Sequence, residues 1–346
     1  MVLSKKKRWE NDKMKWLKRI LIGIPVAILL LVGIVWIINQ VTPKPVSLLV
    51  RKQFDTSGVE QVYPRPKDFD EKMEKIAVVE NEEYPSDYQQ NTMDIYLPKD
   101  KEKTLPVLFW VHGGAYVAGD KRDCEDYLKL LCADTQQVVV NINYELSPEV
   151  KHPTPLKQLN EAISYMEDQY GSVIDWNNVS IGGDSAGAQI ASEYILSGQN
   201  SQIQQAIKVT PVLKNEQITK FVSLSGLLDP ASFTQVSDNI SSFLYAKCGW
   251  AYFGSKKFEQ SDEVKQLALA KNTSDWTQKV FLTDGNTNTF TEQMDQAEEA
   301  LKEAGVEVTK VSYDEKTAVL NHEYQFDMNI EQSQTTYQQL VAFMKE

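Results

Sequence analysis

The chain predicts an α/β fold: a mostly parallel sheet with helices on both faces, preceded by one transmembrane helix. Three observations carry this. From about residue 86 onward, apolar runs of strand length alternate with stretches of helical period, the pattern of parallel strands joined by crossover helices. Residues 20–38 form an uncharged apolar run of 19 residues, which at ~1.5 Å per residue nearly spans the ~30 Å hydrocarbon core of a bilayer. Residues 183–187 read Gly-Asp-Ser-Ala-Gly, a G-x-S-x-G turn that sets a serine between a strand and a helix.

The front of the chain comes first. Residues 1–19 carry eight Lys/Arg against Glu10 and Asp12, a charge of +6, so the remaining 28 Lys/Arg and 46 Asp/Glu leave the body at −18. Trp16 and Trp36 lie near the two ends of the apolar run, where indoles favour the membrane interface. A cleaved signal peptide is expected to have a shorter apolar region followed by a small-x-small site. Here Asn39-Gln-Val-Thr-Pro43 follows instead, so an uncleaved anchor over 20–38 is expected. The positive-inside rule keeps the basic tail, 1–19, in the cytoplasm. The acidic body then lies outside the cell membrane, and its charge argues against nucleic acid or anionic lipid as a partner. Residues 39–85, with Pro43, Pro45, Pro64 and Pro66, read as a juxtamembrane linker and an arm laid over the domain at 86–346.

Within that domain the elements follow in order. Residues 93–97 are a strand, and the continuous apolar run 106–111 is a buried one. Asp123 caps a helix to about Cys132, with Tyr127, Leu130 and Leu131 inward. Residues 138–144 form the next strand. Leu156, Leu159, Ile163, Met166 and Tyr170 step by three and four, which makes an amphipathic helix. Val179, Ser180 and Ile181 form the strand before the Gly-Asp-Ser-Ala-Gly turn, and residues 186–196 the helix after it. Strands at 220–224 and 280–283 follow. Met294, Ala297, Leu301 and Ala304 mark a helix that Gly305 stops. Residues 306–313 are the last strand, and Tyr337, Leu340 and Met344 share one face of a closing helix. The aromatic stretch 230–275 breaks the alternation. It is expected as a lid or pocket wall, or as ordinary packing helices.

The cysteines make no framework. Cys124 and Cys132 fall on one predicted helix, where eight positions put them roughly 12 Å apart, beyond disulfide reach. Three free, packed thiols are expected. No C-x-x-C pair or His/Cys cluster points to a metal.

A serine nucleophile needs a base, donors for the oxyanion and a group that orients the base. Only three histidines are available. His112 opens the loop His112-Gly-Gly-Ala115 directly after the 106–111 strand. Its adjacent glycines let backbone N–H groups approach a developing oxyanion, and His112 itself is expected to hold the loop. His152 sits in a proline-rich turn and reads as structural. His322 lies after the last strand and before the last helix, the place of a base when the partners follow in the order serine, acid, histidine.

Four ordered motifs then carry a resemblance. His112-Gly-Gly-Ala-Tyr-Val-Ala-Gly119, Tyr144-Glu-Leu-Ser-Pro148, Gly182-Gly-Asp-Ser-Ala-Gly187 and His322-Glu-Tyr-Gln-Phe326 resemble the hormone-sensitive-lipase-like esterases of the α/β-hydrolase fold. The likeness covers roughly residues 86–346. It implies carboxylic-ester hydrolysis without metal or organic cofactor. It also implies Ser185 as nucleophile, His322 as base, and the N–H groups of Gly113, Gly114 and Ala186 as oxyanion donors. Ala115 stands where the family has a third glycine. The family's acid is the aspartate of a D-P-L motif after the seventh strand. The best register sets Asn288-Thr-Phe290 on that motif, so the acid position holds an amide. Asp284 and Asp229, each near the end of a strand, are the alternatives. Together these readings expect a membrane-anchored serine carboxylesterase that cleaves small to medium acyl esters through an acyl-enzyme. The alternative is a weakened or inactive hydrolase-fold protein with a binding role at the cell surface, motivated by Asn288.

Overall fold

The computed structural model describes residues 2–59, 61–100 and 104–346, and for residues 2–8 and 10–13 the backbone alone. Most of the basic tail expected at 1–19 therefore lies outside the described side chains. Among the described residues, eight strands form one sheet: β1 (Ile76–Glu83), β2 (Thr92–Pro98), β3 (Leu105–Val111), β4 (Val138–Ile142), β5 (Ile174–Asp184), β6 (Ile218–Leu224), β7 (Lys279–Thr283) and β8 (Val308–Val311). Their order is β1-β2-β4-β3-β5-β6-β7-β8. β1 and β2 pair antiparallel, as do β2 and β4, and every other pairing is parallel. β3, and β4 apart from Asn141, are apolar without alternation because both of their faces are covered.

Three helices precede or flank the first strands: α1 (Val2–Val41), α2 (Lys44–Gln53) and α3 (Phe69–Met73). The crossovers are α4 (Glu125–Thr135), α5 (Thr154–Tyr170) and α6 (Ala186–Gln199), followed by the short α7 (Ser201–Ile207). Then come α8 (Asn239–Phe253), α9 (Asp262–Lys265), α10 (Thr291–Glu303) and α11 (Glu331–Lys345). The core has two layers. Phe109, Val140 and Ile181 pack with Leu159 and Ile163 of α5, Ile190 of α6 and Leu301 of α10 on one face. Leu108, Trp110 and Phe281 pack with Leu131 of α4 and Leu340 and Phe343 of α11 on the other. This is the α/β architecture that the alternation predicts.

Two stretches differ from their expected form. Residues 39–85 carry α2, α3 and β1 rather than a plain linker and arm. β1 escapes a periodicity reading because it is an exposed edge strand, with Glu80 and Glu83 turned to solvent. The stretch 230–275 forms α8, α9 and three single 3-10 turns over the sheet, and α8 packs against α2. None of the three cysteines forms a disulfide, and all three are buried.

Within α1, Met14–Val41 is long and apolar enough to cross a membrane, and its apolar window is not buried by the rest of the protein. Its last turn touches the body. Lys247 Nζ of α8 donates to the Asn39 carbonyl, and Lys256 Nζ to Gln40 Oε1 at 2.6 Å.

Candidate active site

Ser185 stands between β5 and α6 with φ 48° and ψ −118°. This left-handed turn is held from both sides. Ser185 N–H donates to the Leu224 carbonyl, and Leu227 N–H to the Ser185 carbonyl, each at 3.0 Å. The flanking glycines are required by space. A Cβ on Gly187 would lie 2.0 Å from the Val111 carbonyl oxygen, and one on Gly183 2.5 Å from the Gly187 carbonyl carbon. Neither neighbour is a movable side chain. Gly187→Ala is therefore expected to destabilise the protein by about 1–3 kcal/mol or more. Thermal unfolding checks this, and an unchanged midpoint would mean that the turn relaxes freely.

Ser185 Oγ lies 2.9 Å from His322 Nε2. On the other side of the ring, His322 Nδ1 lies 3.0 Å from Thr289 Oγ1 and 3.8 Å from Asp284 Oδ1. The Thr289 hydroxyl donates to Asp284 Oδ1. A hydroxyl has one proton to give, so Thr289 accepts from His322 Nδ1–H. That leaves Nε2 unprotonated and facing the serine. Asp284 itself is buried and held by Gly285 N–H on Oδ1 and Phe290 N–H on Oδ2, both at 2.8 Å. Burial works against a charged His322, but the Asp284 carboxylate and the charge of Glu323 outweigh it and raise its pKa above the ordinary value.

Asn288, expected in the acid position, is elsewhere. Its φ is 51°, and its Oδ1 accepts from Ser237 Oγ, just before α8, at 2.6 Å. Asp229 also faces away from the histidine. It caps a 3-10 turn, accepting from Ala231 N–H at 3.0 Å and Ser232 Oγ at 2.8 Å. Asp284 is thus the one of the three candidates that reaches His322, and it does so through Thr289.

The glycine loop follows β3. Gly114 has φ 106°, and a Cβ there would meet the Ala118 carbonyl at 2.1 Å. Gly113, expected as an oxyanion donor, is committed instead: its N–H donates to Asp184 Oδ2 at 2.7 Å. The N–H groups of Gly114, Ala115 and Ala186 have no protein acceptor among the described residues. His112 is buried, stacked on Tyr144 with ring centroids 4.3 Å apart, and its Nδ1 lies 2.8 Å from the Gly113 carbonyl. Burial pushes its pKa down, so it holds the loop as a neutral ring. His152 pairs with buried Glu193 at 2.5 Å, away from Ser185.

A cleft of about 340 Å³ opens over Ser185 and His322. Val50 and Phe54 from α2 and its end wall one side, Leu244 and Tyr245 of α8 another, and Gly114 and Ala115 the floor. Three residues at the site went unnoticed in the sequence. Asp184 accepts from Trp110 Nε1 at 2.9 Å as well as from Gly113. Burial and the neighbouring Glu323 carboxylate hold its carboxyl well above the usual range. Glu323, with φ 61°, brings Oε1 to 3.9 Å from His322 Nε2. Each lies inside a motif, beside the serine or the histidine, the only signal available for them. Thr289, the middle residue of Asn288-Thr-Phe290, had no signal beyond that register.

The BD-FAE family model matches residues 93–303. Esterase B from Lactobacillus Rhamnosis superposes with a TM-score of 0.70 at 17% identity, over 87% of this chain and 95% of that one. A hyperthermophilic esterase from the archaeon Pyrobaculum calidifontis gives 0.64 at 17%, over 90% and 95%. A bacterial heroin esterase gives 0.62 at 17%, over 79% and 84%. At these identities the likeness is one of fold, that of the α/β-hydrolase esterases.

Proposed function

The chain belongs to the BD-FAE family and has the hormone-sensitive-lipase-like α/β-hydrolase fold, and from that premise we propose that it is a serine carboxylesterase held to the cell membrane by α1. The observation that carries the reading is the line from Ser185 Oγ to His322 Nε2 at 2.9 Å, continued from Nδ1 through Thr289 to Asp284. His322 Nε2 takes the Ser185 proton as Oγ attacks the ester carbonyl. The oxyanion is received by the N–H groups of Gly114, Ala115 and Ala186. His322 then gives the proton to the leaving alkoxide, and an acyl group remains on Ser185. Water, deprotonated by the same nitrogen, attacks the acyl carbonyl, and His322 returns the proton to Ser185 Oγ as the acid leaves. The cleft volume suits small to medium acyl esters. The reading of an inactive binding protein rested on an amide in the acid's place. Asp284 removes that motive, since a carboxylate serves the histidine through Thr289.

The anchoring reading rests on the apolar 20–38 run, its basic N-terminal flank and its exposed position beside the body. By the positive-inside rule, the N-terminus stays in the cytoplasm and the catalytic body outside. The catalytic unit then begins before residue 86, since α2 lines the cleft and β1 completes the sheet.

A p-nitrophenyl alkylphosphonate tests the nucleophile. The expected product is a single phosphonyl adduct on the peptide containing Ser185, located by mass spectrometry. An adduct elsewhere, or none while ester hydrolysis proceeds, would sink the assignment.

The pH dependence follows from the base. His322 works only when neutral, and its pKa is raised. The rate constant kcat/KM is expected to fall as pH drops through a midpoint above ~6.5, the unperturbed histidine value. A pH–rate profile whose acidic limb lies at or below that value would contradict the geometry.

A further inference from the structure

α8 carries two adjoining stripes. Ser241, Leu244, Tyr245 and Cys248 line the cleft. Ile240, Phe243, Lys247 and Trp250, spaced by three and four, lie on the next face. There Ile240 is 71% and Phe243 49% exposed. The neighbouring α2 repeats the arrangement. Val46 and Val50 are buried, while Leu49 is 63% exposed and Phe54, just past its end, 59%. Phe54 is also part of the cleft wall. Both helices that wall the cleft thus leave apolar side chains uncovered beside it. Single exposed apolar residues are ordinary, but a cluster of them marks a contact surface.

The occupant is indicated by continuity. Lys247 Nζ, which donates to Asn39 in the last turn of α1, lies 5.5 Å from the Phe243 ring centroid and 5.0 Å from that of Trp250. The stripe therefore starts where the apolar helix ends. Its flanks carry lysines in an acidic body, alongside Asp55 after Phe54 and Asp238 at the cap of α8. Lys44, Lys52, Lys256 and Lys257 are exposed, and none forms an ion pair among the described residues. Cations beside an apolar stripe suit a membrane surface with anionic headgroups.

We propose that this face of α2 and α8 lies on the bilayer that holds α1, so that the cleft opens at the membrane surface and draws medium-chain acyl esters partitioned in the lipid. The proposal rests on the reading of α1 as an anchor and of the cleft as an esterase site. It extends that reading from a reaction to a source of substrate. The other faces of the body, whose net charge as a whole is −18, then point away from the lipid.

The full chain is reconstituted in vesicles of phosphatidylcholine and phosphatidylglycerol. Ile240→Cys is labelled with a nitroxide, which the three buried native thiols leave selective. Glu303→Cys, exposed at the end of α10, is the control. The label at 240 is expected to collide preferentially with oxygen, as lipid-exposed labels do, and the label at 303 with a water-soluble nickel chelate. A label at 240 as accessible to nickel as the one at 303 overturns the proposal. The second measurement compares substrates with the Ile240→Ser/Phe243→Ser variant. Hydrolysis of p-nitrophenyl decanoate carried in the vesicles is expected to fall about tenfold, the effect of ~1.4 kcal/mol of lost apolar contact. Hydrolysis of water-soluble p-nitrophenyl acetate is expected to stay within about twofold. Equal losses on both esters, or no loss on either, overturn the proposal. A wild-type protein that cleaves neither ester while the 240 label reads lipid refutes the esterase reading and supports the membrane face.

Discussion

Replacing Ser185 with alanine is expected to lower kcat on p-nitrophenyl butyrate by about 10⁶-fold, the scale of removing the nucleophile from a serine hydrolase. The substitution is unusually clean here. Alanine meets no new steric demand at φ 48°, because serine already carries a Cβ there. The two bonds that fix the turn, to Leu224 and from Leu227, use Ser185 backbone atoms and survive. The unfolding midpoint is therefore expected to stay near that of wild type while the chemistry disappears. What remains is binding and the N–H groups of Gly114, Ala115 and Ala186, which can still polarise a carbonyl for attack by water. Steady-state rates with the purified full chain, alongside thermal unfolding, separate these outcomes. A Ser185→Ala protein that keeps a tenth of the wild-type rate would place the nucleophile elsewhere.

The parts of this protein that the sequence made legible share one property: a local pattern carries them. β3 is a continuous apolar run, β4 is apolar but for Asn141, α5 shows a helical period, and Gly183 and Gly187 bracket the serine turn because a Cβ at either place meets backbone. Chain order singled out His322, whose Nε2 lies 2.9 Å from Ser185 Oγ. What escaped depends on contacts across the fold. β1 lies at an edge and shows no alternation. Gly113 and Gly114 are equivalent in the sequence, but Asp184 claims the N–H of Gly113 from β5. Aligning Asn288-Thr-Phe290 on the D-P-L motif puts an amide in the acid's place. The loop instead turns at Asn288, sends its amide to Ser237 and lays the next side chain, Thr289, on the histidine. A spacing rule cannot see a one-residue rotation of that kind.

That rotation makes the second large effect specific. Asp284→Asn is expected to lower kcat by about 10⁴-fold, the size seen when an amide replaces the triad aspartate of a serine protease, although here the carboxylate lies 3.8 Å from the ring. The reason is the direction of one proton. With a carboxylate at 284, Thr289 must donate to it and so must accept from His322 Nδ1–H, leaving Nε2 as the base. With an amide, two orientations are open. If the NH2 faces Thr289, the hydroxyl turns round and donates to Nδ1, the ring proton moves to Nε2, and the base is blocked on the side of Ser185. If the NH2 faces the other way, it opposes the N–H of Phe290, which now donates to the carboxylate at 2.8 Å. The first orientation loses the base and also sets the NH2 against the Gly285 N–H, and the second leaves the Phe290 N–H unpaired, so neither is neutral. Asn288→Asp, by contrast, adds a carboxylate beside Ser237, away from the ring, and is expected to change kcat by less than about threefold. Thr289→Val removes the relay and leaves the carboxylate in place, with an expected loss of about 10–100-fold, the range of a hydrogen bond to a charged group. The pH profile distinguishes this chain of contacts from simple damage to the loop. Asp284 helps to raise the His322 pKa, so its neutralisation moves the acidic limb of kcat/KM to lower pH even as the rate falls. A full rate in Asp284→Asn together with a collapse in Asn288→Ala would return the acid's role to residue 288.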